Sequence, residues 1–161
     1  MNGHFILAID LGTTNFKFAL YDRDIRLVAL HKMPVVYSLD NTFVEFDPAR
    51  YMADCHSGMR TVMSMADIDP SEVSLITLTG QAESFVLADD GGKVLGPGIS
   101  WKDSRSDEEV ALLRDALGAQ WYHTTGLPEV TTTWPVTKLL WLKRHKPKLY
   151  DRIARVYLLK D

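Results

Sequence analysis

Asp10-Leu11-Gly12-Thr13-Thr14-Asn15-Phe16-Lys17 is the stretch that decides the fold. It follows Phe5-Ile6-Leu7-Ala8-Ile9, a continuous apolar run with the pattern of a strand buried on both faces. A carboxylate at the end of such a strand costs free energy unless a cation or hydrogen-bond donors meet it. Gly12 breaks the run, and a glycine turn lets backbone N–H groups approach a ligand closely. Thr13 and Thr14 add hydroxyls, and Lys17 adds positive charge inside the next apolar run, Phe16 to Tyr21. Together these residues suit phosphate groups, with Asp10 holding a magnesium ion or its water. An ordinary hairpin turn has the same composition, because Asp, Gly and Thr favour turns for local reasons. The spacing fits neither a Walker A loop nor a dinucleotide fingerprint.

Working outward, Asp22-Arg23-Asp24 is a polar turn, and Leu27 to Leu30 and Val35 to Tyr37 are further strand candidates. Short turns make these neighbours antiparallel. Asp47 and Pro48 open a helix as N-cap and first residue, with Tyr51, Cys55, Met59 and Val62/Met63 on one apolar stripe. Val73 to Thr79 is rich in β-branched residues and reads as a buried strand ended by Gly80. Phe85 to Ala88 is a short strand before a hairpin turn at Asp89-Asp90-Gly91-Gly92. Ser106-Asp107-Glu108-Glu109 has the pattern of a capping box, predicting a helix to about Leu117 that Gly118 ends. A helix from Pro135 towards Arg144, a short helix over Leu149 to Ala154 and a strand over Val156 to Leu159 complete the chain. Strands, helix, strands, then helices predict a layered α/β domain.

The 161 residues suffice for one domain with a core and fall short of two of ordinary size. The net charge of −3 gives no electrostatic footprint for nucleic acid or an anionic membrane. The single cysteine, Cys55, excludes an internal disulfide and favours a reducing compartment, so a cytoplasmic location is expected. Phe5 to Ile9 is too short for a membrane span and lacks the flank of a signal peptide. The five histidines are scattered without metal-ligand spacing. The basic residues from Lys138 to Lys148 read as a solvated helix face.

A second group of residues suits a polyol, which is a row of hydroxyls with an apolar underside. Gln81 and Glu83 can bind adjacent hydroxyls, and Trp101 can cover a C–H face. Asp103 and Arg105 can bind hydroxyls directly or pair with each other to shape the loop. Each also has a plain reading: a solvated turn residue, a core tryptophan, a surface ion pair.

The order strand, Asp-x-Gly-Thr-Thr, strand resembles the first phosphate motif of the actin, hexokinase and heat-shock-70 superfamily, which includes sugar kinases. That resemblance implies a ribonuclease-H-like α/β domain whose mixed sheet opens with antiparallel strands and is flanked by helices. In it Asp10 would serve the magnesium site, Gly12, Thr13 and Thr14 the β- and γ-phosphates of ATP, and Lys17 their neutralisation. Val44-Glu45-Phe46-Asp47-Pro48, Thr79-Gly80-Gln81-Ala82-Glu83-Ser84 and Ile99-Ser100-Trp101-Lys102-Asp103-Ser104-Arg105 resemble segments of the FGGY carbohydrate kinases. Thr125-Gly126-Leu127, Thr137-Lys138-Leu139-Leu140-Trp141-Leu142 and Leu158-Leu159-Lys160-Asp161 continue the likeness, most of all to xylulose kinases.

The family resemblance implies ATP-dependent phosphorylation of a sugar or polyol, with a ketopentose such as xylulose first among the candidates. It implies that Gln81, Glu83, Trp101, Asp103 and Arg105 bind the acceptor and that nucleic acid and membrane are not partners; a homodimer stays open. Ala82 replaces the arginine of glycerol kinases, and Glu83 stands where xylulose kinases usually have histidine. Residues 1–161 match the opening part of the family's first domain, so that domain is expected to be incomplete. The catalytic aspartate is expected beyond Asp161, which predicts an inactive isolated chain. A chaperone- or actin-like ATPase shares the Asp10–Lys17 motif but gives no reason for Gln81-Ala82-Glu83 or Trp101-Lys102-Asp103.

Overall fold

A computed structural model describes residues 4–161. They form two compact units, one built from residues 4–36, 47–81 and 160, the other from 37–46, 82–159 and 161.

The first unit is a mixed four-stranded sheet. β1 (Phe5–Leu11) pairs antiparallel with β2 (Asn15–Tyr21), and β2 pairs antiparallel with β3 (Leu27–Pro34). In the second unit β4 (Ser38–Asp40) and β5 (Phe43–Phe46) form a hairpin. Back in the first unit, α1 (Pro48–Met65) begins as the sequence predicts: the Asp47 carboxylate accepts from the N–H groups of Ala49 and Arg50, with proline at the first position. A short 3-10 turn over Pro70–Glu72 leads into β6 (Val73–Gly80), which lies parallel to β1. The sheet order is β3-β2-β1-β6. The antiparallel opening and the mixed sheet agree with the expected fold class.

The core of this unit forms where α1 packs on β2 and β3. Phe16, Phe18 and Leu20 alternate with Lys17 and Ala19 along β2, and all three are buried. Phe16 meets Tyr51 edge-on at 4.6 Å between ring centroids. Gly58 lets the helix approach, since a Cβ there would lie 2.0 Å from the Phe18 ring. Cys55 is buried on the same stripe; burial, with a smaller contribution from Asp54, pushes its thiol up to about 11. It is a packed thiol and not a reactive one.

Two strand readings need correction. β1 is buried on alternate residues only, Leu7, Ile9 and Leu11. β6 is not buried: Leu75, Ile76 and Leu78 are 55%, 58% and 43% exposed. It pairs with β1 on one side and lies at the sheet edge, so its β-branched composition reports strand geometry without burial.

The second unit holds a five-stranded sheet of order β4-β5-β8-β7-β9, with β7 at Phe85–Ala88, β8 at Gly98–Ile99 and β9 at Arg155–Leu158. The hairpin turn after β7 forms as expected, with Gly92 at φ +81° and its N–H donating to Asp89 O. α2 (Asp107–Leu117), α3 (Gln120–Thr125), α4 (Pro135–His145) and α5 (Pro147–Tyr150) complete the unit. Phe85, Leu87, Ile99 and Leu142 form one buried cluster and Val110, Trp121 and Val130 another.

The capping box expected at Ser106 does not form. Ser106 is the N-cap, but its hydroxyl donates to Thr137 Oγ1, and Glu109 is buried and bonded to Arg144. Long-range partners outcompete the local pair. A capping box forms instead at Asp69, where the Asp69 and Glu72 side chains accept reciprocally from the backbone.

Gly58→Ala tests the packing of α1 on β2. Alanine gains about 1 kcal/mol of helix propensity over glycine, so a free surface would make the variant more stable. The buried Phe18 ring blocks the added methyl, and overpacking of this kind costs about 1–3 kcal/mol. Urea unfolding is expected to show a net loss of stability; a gain would contradict the close approach.

Candidate functional site

The Asp10–Lys17 motif lies at the end of the β1–β2 hairpin in the first unit. Asp10 and Lys17 are opposite each other in the strand register, and the Lys17 ammonium is 2.7 Å from Asp10 Oδ2. Their side chains are 33% and 48% exposed, so the pair is open to a ligand. Gly12, Thr13 and Thr14 form the turn between the strands. A Cβ on Gly12 would meet Asn15 O at 2.7 Å and stand 3.7 Å from both Asp10 carboxylate oxygens. The turn therefore closes tightly on the Asn15 carbonyl, which a side chain at Gly12 would strike, and passes within van der Waals reach of the Asp10 carboxylate. Hydroxyls, turn N–H groups and an ammonium beside one carboxylate fit a magnesium-bound polyphosphate: donors meet the anion, and Asp10 offers a hard oxygen ligand.

Gln81 belongs to this unit as well. Its N–H donates to Leu11 O at 3.0 Å, which places it at the end of β1. The other four acceptor-site candidates lie in the second unit.

Glu83 is half-buried, with φ at +64°. That region is unfavourable for a side chain as large as glutamate and marks a conformation held by its surroundings. Among the described residues its carboxylate makes no hydrogen bond or ion pair. Ser84 is buried and accepts from the Trp101 N–H at 3.0 Å, which fixes Trp101 relative to the Glu83 backbone. Ser84 is a positioning group that the sequence reading passed over; its place between Glu83 and a buried strand was the available signal.

Asp103 and Arg105 are brought together, away from solvent. Arg105 grips Asp103 with two parallel bonds, Nε to Oδ1 at 2.9 Å and Nη2 to Oδ2 at 2.7 Å. Its Nη2 also donates to Glu45 Oε1 at 2.6 Å, and the Val44 N–H donates to Asp103 Oδ2 at 2.8 Å. The guanidinium lies 4.2 Å from the Phe43 ring centre and 5.1 Å from that of Trp141. Desolvation works against its charge, but Asp103 and Glu45 outweigh it and hold Arg105 above its ordinary value. Of the two roles that the sequence allows, this geometry favours shaping the loop.

Lys138 is fully buried on α4, and the sequence reading assigned it to a solvated face. Charge and helical spacing gave no warning, because the charges that act on it, Asp103, Arg105 and Glu83, come from distant residues. Its ammonium donates to Thr132 O and, at 3.1 Å, to Thr133 O. Burial pulls it down to about 8; Asp103 and Glu83 favour its charged form, and Arg105 opposes it.

The histidine reading also needs an addition. Glu108, Glu109 and His145 bring ligand atoms within 4.8 Å of one another. The Arg144 guanidinium already bridges both glutamates, so this cluster is supplied with a cation. Among the described residues no helix is long and apolar enough to cross a membrane.

The model of the FGGY family of carbohydrate kinases, N-terminal domain, matches residues 5–161. A glycerol kinase from Methylorubrum populi is 34% identical over 142 residues, covering 86% of this chain and 28% of that protein. A xylulose kinase from Klebsiella pneumoniae is 30% identical over 156 residues, covering 96% of this chain and 32% of that protein. The crystal structure of a xyloylose kinase from Brucella ovis superposes with a TM-score of 0.90 at 30% identity, covering 98% of this chain and 33% of that one. The chain thus spans about a third of the length of the proteins it matches.

The Lys138 environment predicts a pH dependence of stability. Its folded value of about 8 lies below the usual 10.4 or so of a lysine in an unfolded chain. Between those values the unfolded state binds a proton that the folded state does not, so this group makes stability rise with pH. Cys55 acts in the opposite direction from about 9 to 11, so the comparison must be with a variant. The stability of Lys138→Met minus that of the unsubstituted protein is expected to fall, becoming less positive or more negative, from pH 7 to pH 9.5. A constant difference would mean that Lys138 is not perturbed.

Proposed function

The chain belongs to the FGGY family of carbohydrate kinases, and on that premise we propose that the intact protein transfers the γ-phosphoryl group of ATP to a hydroxyl of a ketose or polyol. A ketopentose such as xylulose is the favoured acceptor. The observation that carries this reading is Glu83: a half-buried carboxylate that makes no hydrogen bond or ion pair among the described residues, held at positive φ beside the Ser84–Trp101 clamp. An unspent acceptor of this kind suits a sugar hydroxyl. The exposed Ala82 puts no second charge beside it, which suits an acceptor longer than glycerol.

Bound magnesium–ATP would supply the phosphoryl group and part of the charge neutralisation. Asp10 offers the ligand oxygen or orients the metal's water, and the Gly12–Thr14 turn presents N–H groups and hydroxyls to phosphate oxygens. Lys17 exchanges its bond to Asp10 for one to the negative charge. Glu83 accepts from an acceptor hydroxyl, Gln81 offers an amide to another, and Trp101 covers a C–H face. Asp103 and Arg105 act through the loop they hold. No described residue is assigned as the base that takes the proton of the attacking hydroxyl: Asp10 is paired with Lys17, and Asp103 is sealed by Arg105. Positioning and charge neutralisation are what phosphoryl transfer chiefly needs from a protein.

Steady-state kinetics of the intact protein on a panel of ketoses and polyols test the proposal. Glu83→Gln is expected to raise the acceptor KM roughly tenfold or more while the ATP KM stays within about twofold. Asp10→Asn is expected to lower kcat by about a hundredfold with little effect on acceptor KM. ATP turnover that is indifferent to every acceptor would sink the kinase reading.

A further inference from the structure

The loop that carries Trp101 is tied to the β4–β5 hairpin by four hydrogen bonds. The Ser100 N–H donates to Val44 O and the Ser104 N–H to Thr42 O, both at 2.9 Å. The Val44 N–H donates to Asp103 Oδ2 at 2.8 Å, and Arg105 Nη2 donates to Glu45 Oε1 at 2.6 Å. On the hairpin side the first three use backbone groups, which almost any residue supplies. The fourth requires the side chain of Glu45.

Charge balance does not call for that side chain. Asp103 already pairs with the guanidinium, and the side chains of Arg105 and Asp103 are 5% and 0% exposed. Adding a carboxylate to a pair already matched and nearly sealed brings desolvation without a new counter-charge. What Glu45 adds is direction. Both N–H groups of Nη2 are spent, one on each acid. Phe43, two residues before Glu45 and on the same face of β5, sets its ring 4.2 Å from the guanidinium carbon. A ring and a carboxylate from one strand face thus fix the plane of Arg105. The Asp103–Arg105 pair is local to its loop; Glu45 gives it a place relative to β5.

The register set at Arg105 runs back along the loop. Asp103 N–H donates to Ser100 O at 3.1 Å and Lys102 N–H to Ser100 Oγ at 3.3 Å, which closes the loop as a tight turn. Trp101 N–H then donates to Ser84 Oγ at 3.0 Å, next in the chain to Glu83 at positive φ. We infer that Glu45 is a positioning residue for acceptor binding: by holding Arg105 it sets the 100–105 loop against β5, and with it Trp101 and the Ser84 clamp. The inference rests on the acceptor-binding reading of Trp101 and Glu83. It assigns Glu45 no contact with the acceptor.

Steady-state kinetics of the intact protein with the best acceptor of the panel test it. Glu45→Ala is expected to raise the acceptor KM about tenfold, with the ATP KM within about twofold. Glu45→Gln keeps the accepting oxygen and is expected to give a smaller rise. Val110→Ala, which thins the other buried cluster of this unit, is expected to lower the melting temperature and leave the acceptor KM unchanged. Because Glu45 acts through the loop, the acceptor KM penalty of Trp101→Leu should shrink in the Glu45→Ala background. An unchanged acceptor KM in Glu45→Ala, an equal loss for ATP, or a Gln penalty as large as that of Ala would overturn the inference. So would fully additive penalties, or a rise in acceptor KM in Val110→Ala that matches Glu45→Ala. Failure of both Glu45 variants to fold would overturn it in favour of a purely structural carboxylate. An unsubstituted protein that phosphorylates no acceptor would instead overturn the kinase reading, and this inference with it.

Discussion

The Asp103–Arg105 fork is the constraint on which the second unit depends. A carboxylate with no exposed surface must have its lone pairs met, and each Asp103 oxygen receives two donors. Oδ1 takes the backbone N–H and Nε of Arg105; Oδ2 takes Arg105 Nη2 and the Val44 N–H. The bonds reach from the loop after β8 to residues 59 and 60 positions earlier in the chain. Removing one partner would strand a buried charge, at a cost of about 3–5 kcal/mol. The loop carrying Trp101 therefore has one arrangement. The rings of Phe43 and Trp141 against the guanidinium carry the same constraint into β5 and α4.

The ion pair of the first unit has the opposite character. Asp10 and Lys17 are substantially exposed, and a pair so placed contributes at most about 1 kcal/mol. Its weakness suits its place. On the proposed reading a ligand phosphate or metal would take over either partner at little cost, whereas Asp103 is enclosed by its own four donors. Identical chemistry, an acid and a base a few residues apart, gives a buried brace in one environment and an exposed, weakly held pair in the other. Burial decides which.

This difference also explains what the sequence discloses and what it hides. The β1–turn–β2 hairpin and the cap at Asp47 are legible because each rests on contacts within a few residues. The Ser106 capping box is misread because Thr137 and Arg144, more than thirty residues away, claim the two side chains that would have formed it. The exposure of β6 and the burial of Lys138 are hidden for the same reason, since neither composition nor period says which edge is covered. The functional candidates are legible as residue types. Their division into open groups such as Glu83 and sealed ones such as Asp103 is not, because it depends on partners that the linear order does not adjoin.

Acceptor choice follows from how few groups remain unspent. The chain resembles a glycerol kinase and a xylulose kinase at similar identity, so overall likeness does not separate their acceptors. A hydroxyl is recognised only by a polar group whose own bonding is incomplete. In the second unit the Glu83 carboxylate meets that condition, while Asp103, Arg105 and Glu45 satisfy one another. An acceptor site organised around one such carboxylate would select against analogues that lack the matching hydroxyl, to the extent that the half-buried oxygen is then left unpaired. It selects only weakly on chain length, which is set by the space around it. If Glu83 binds the acceptor as proposed, discrimination between short and long polyols would rest on small neighbours such as Ala82, and the requirement for a hydroxyl at one position would rest on Glu83.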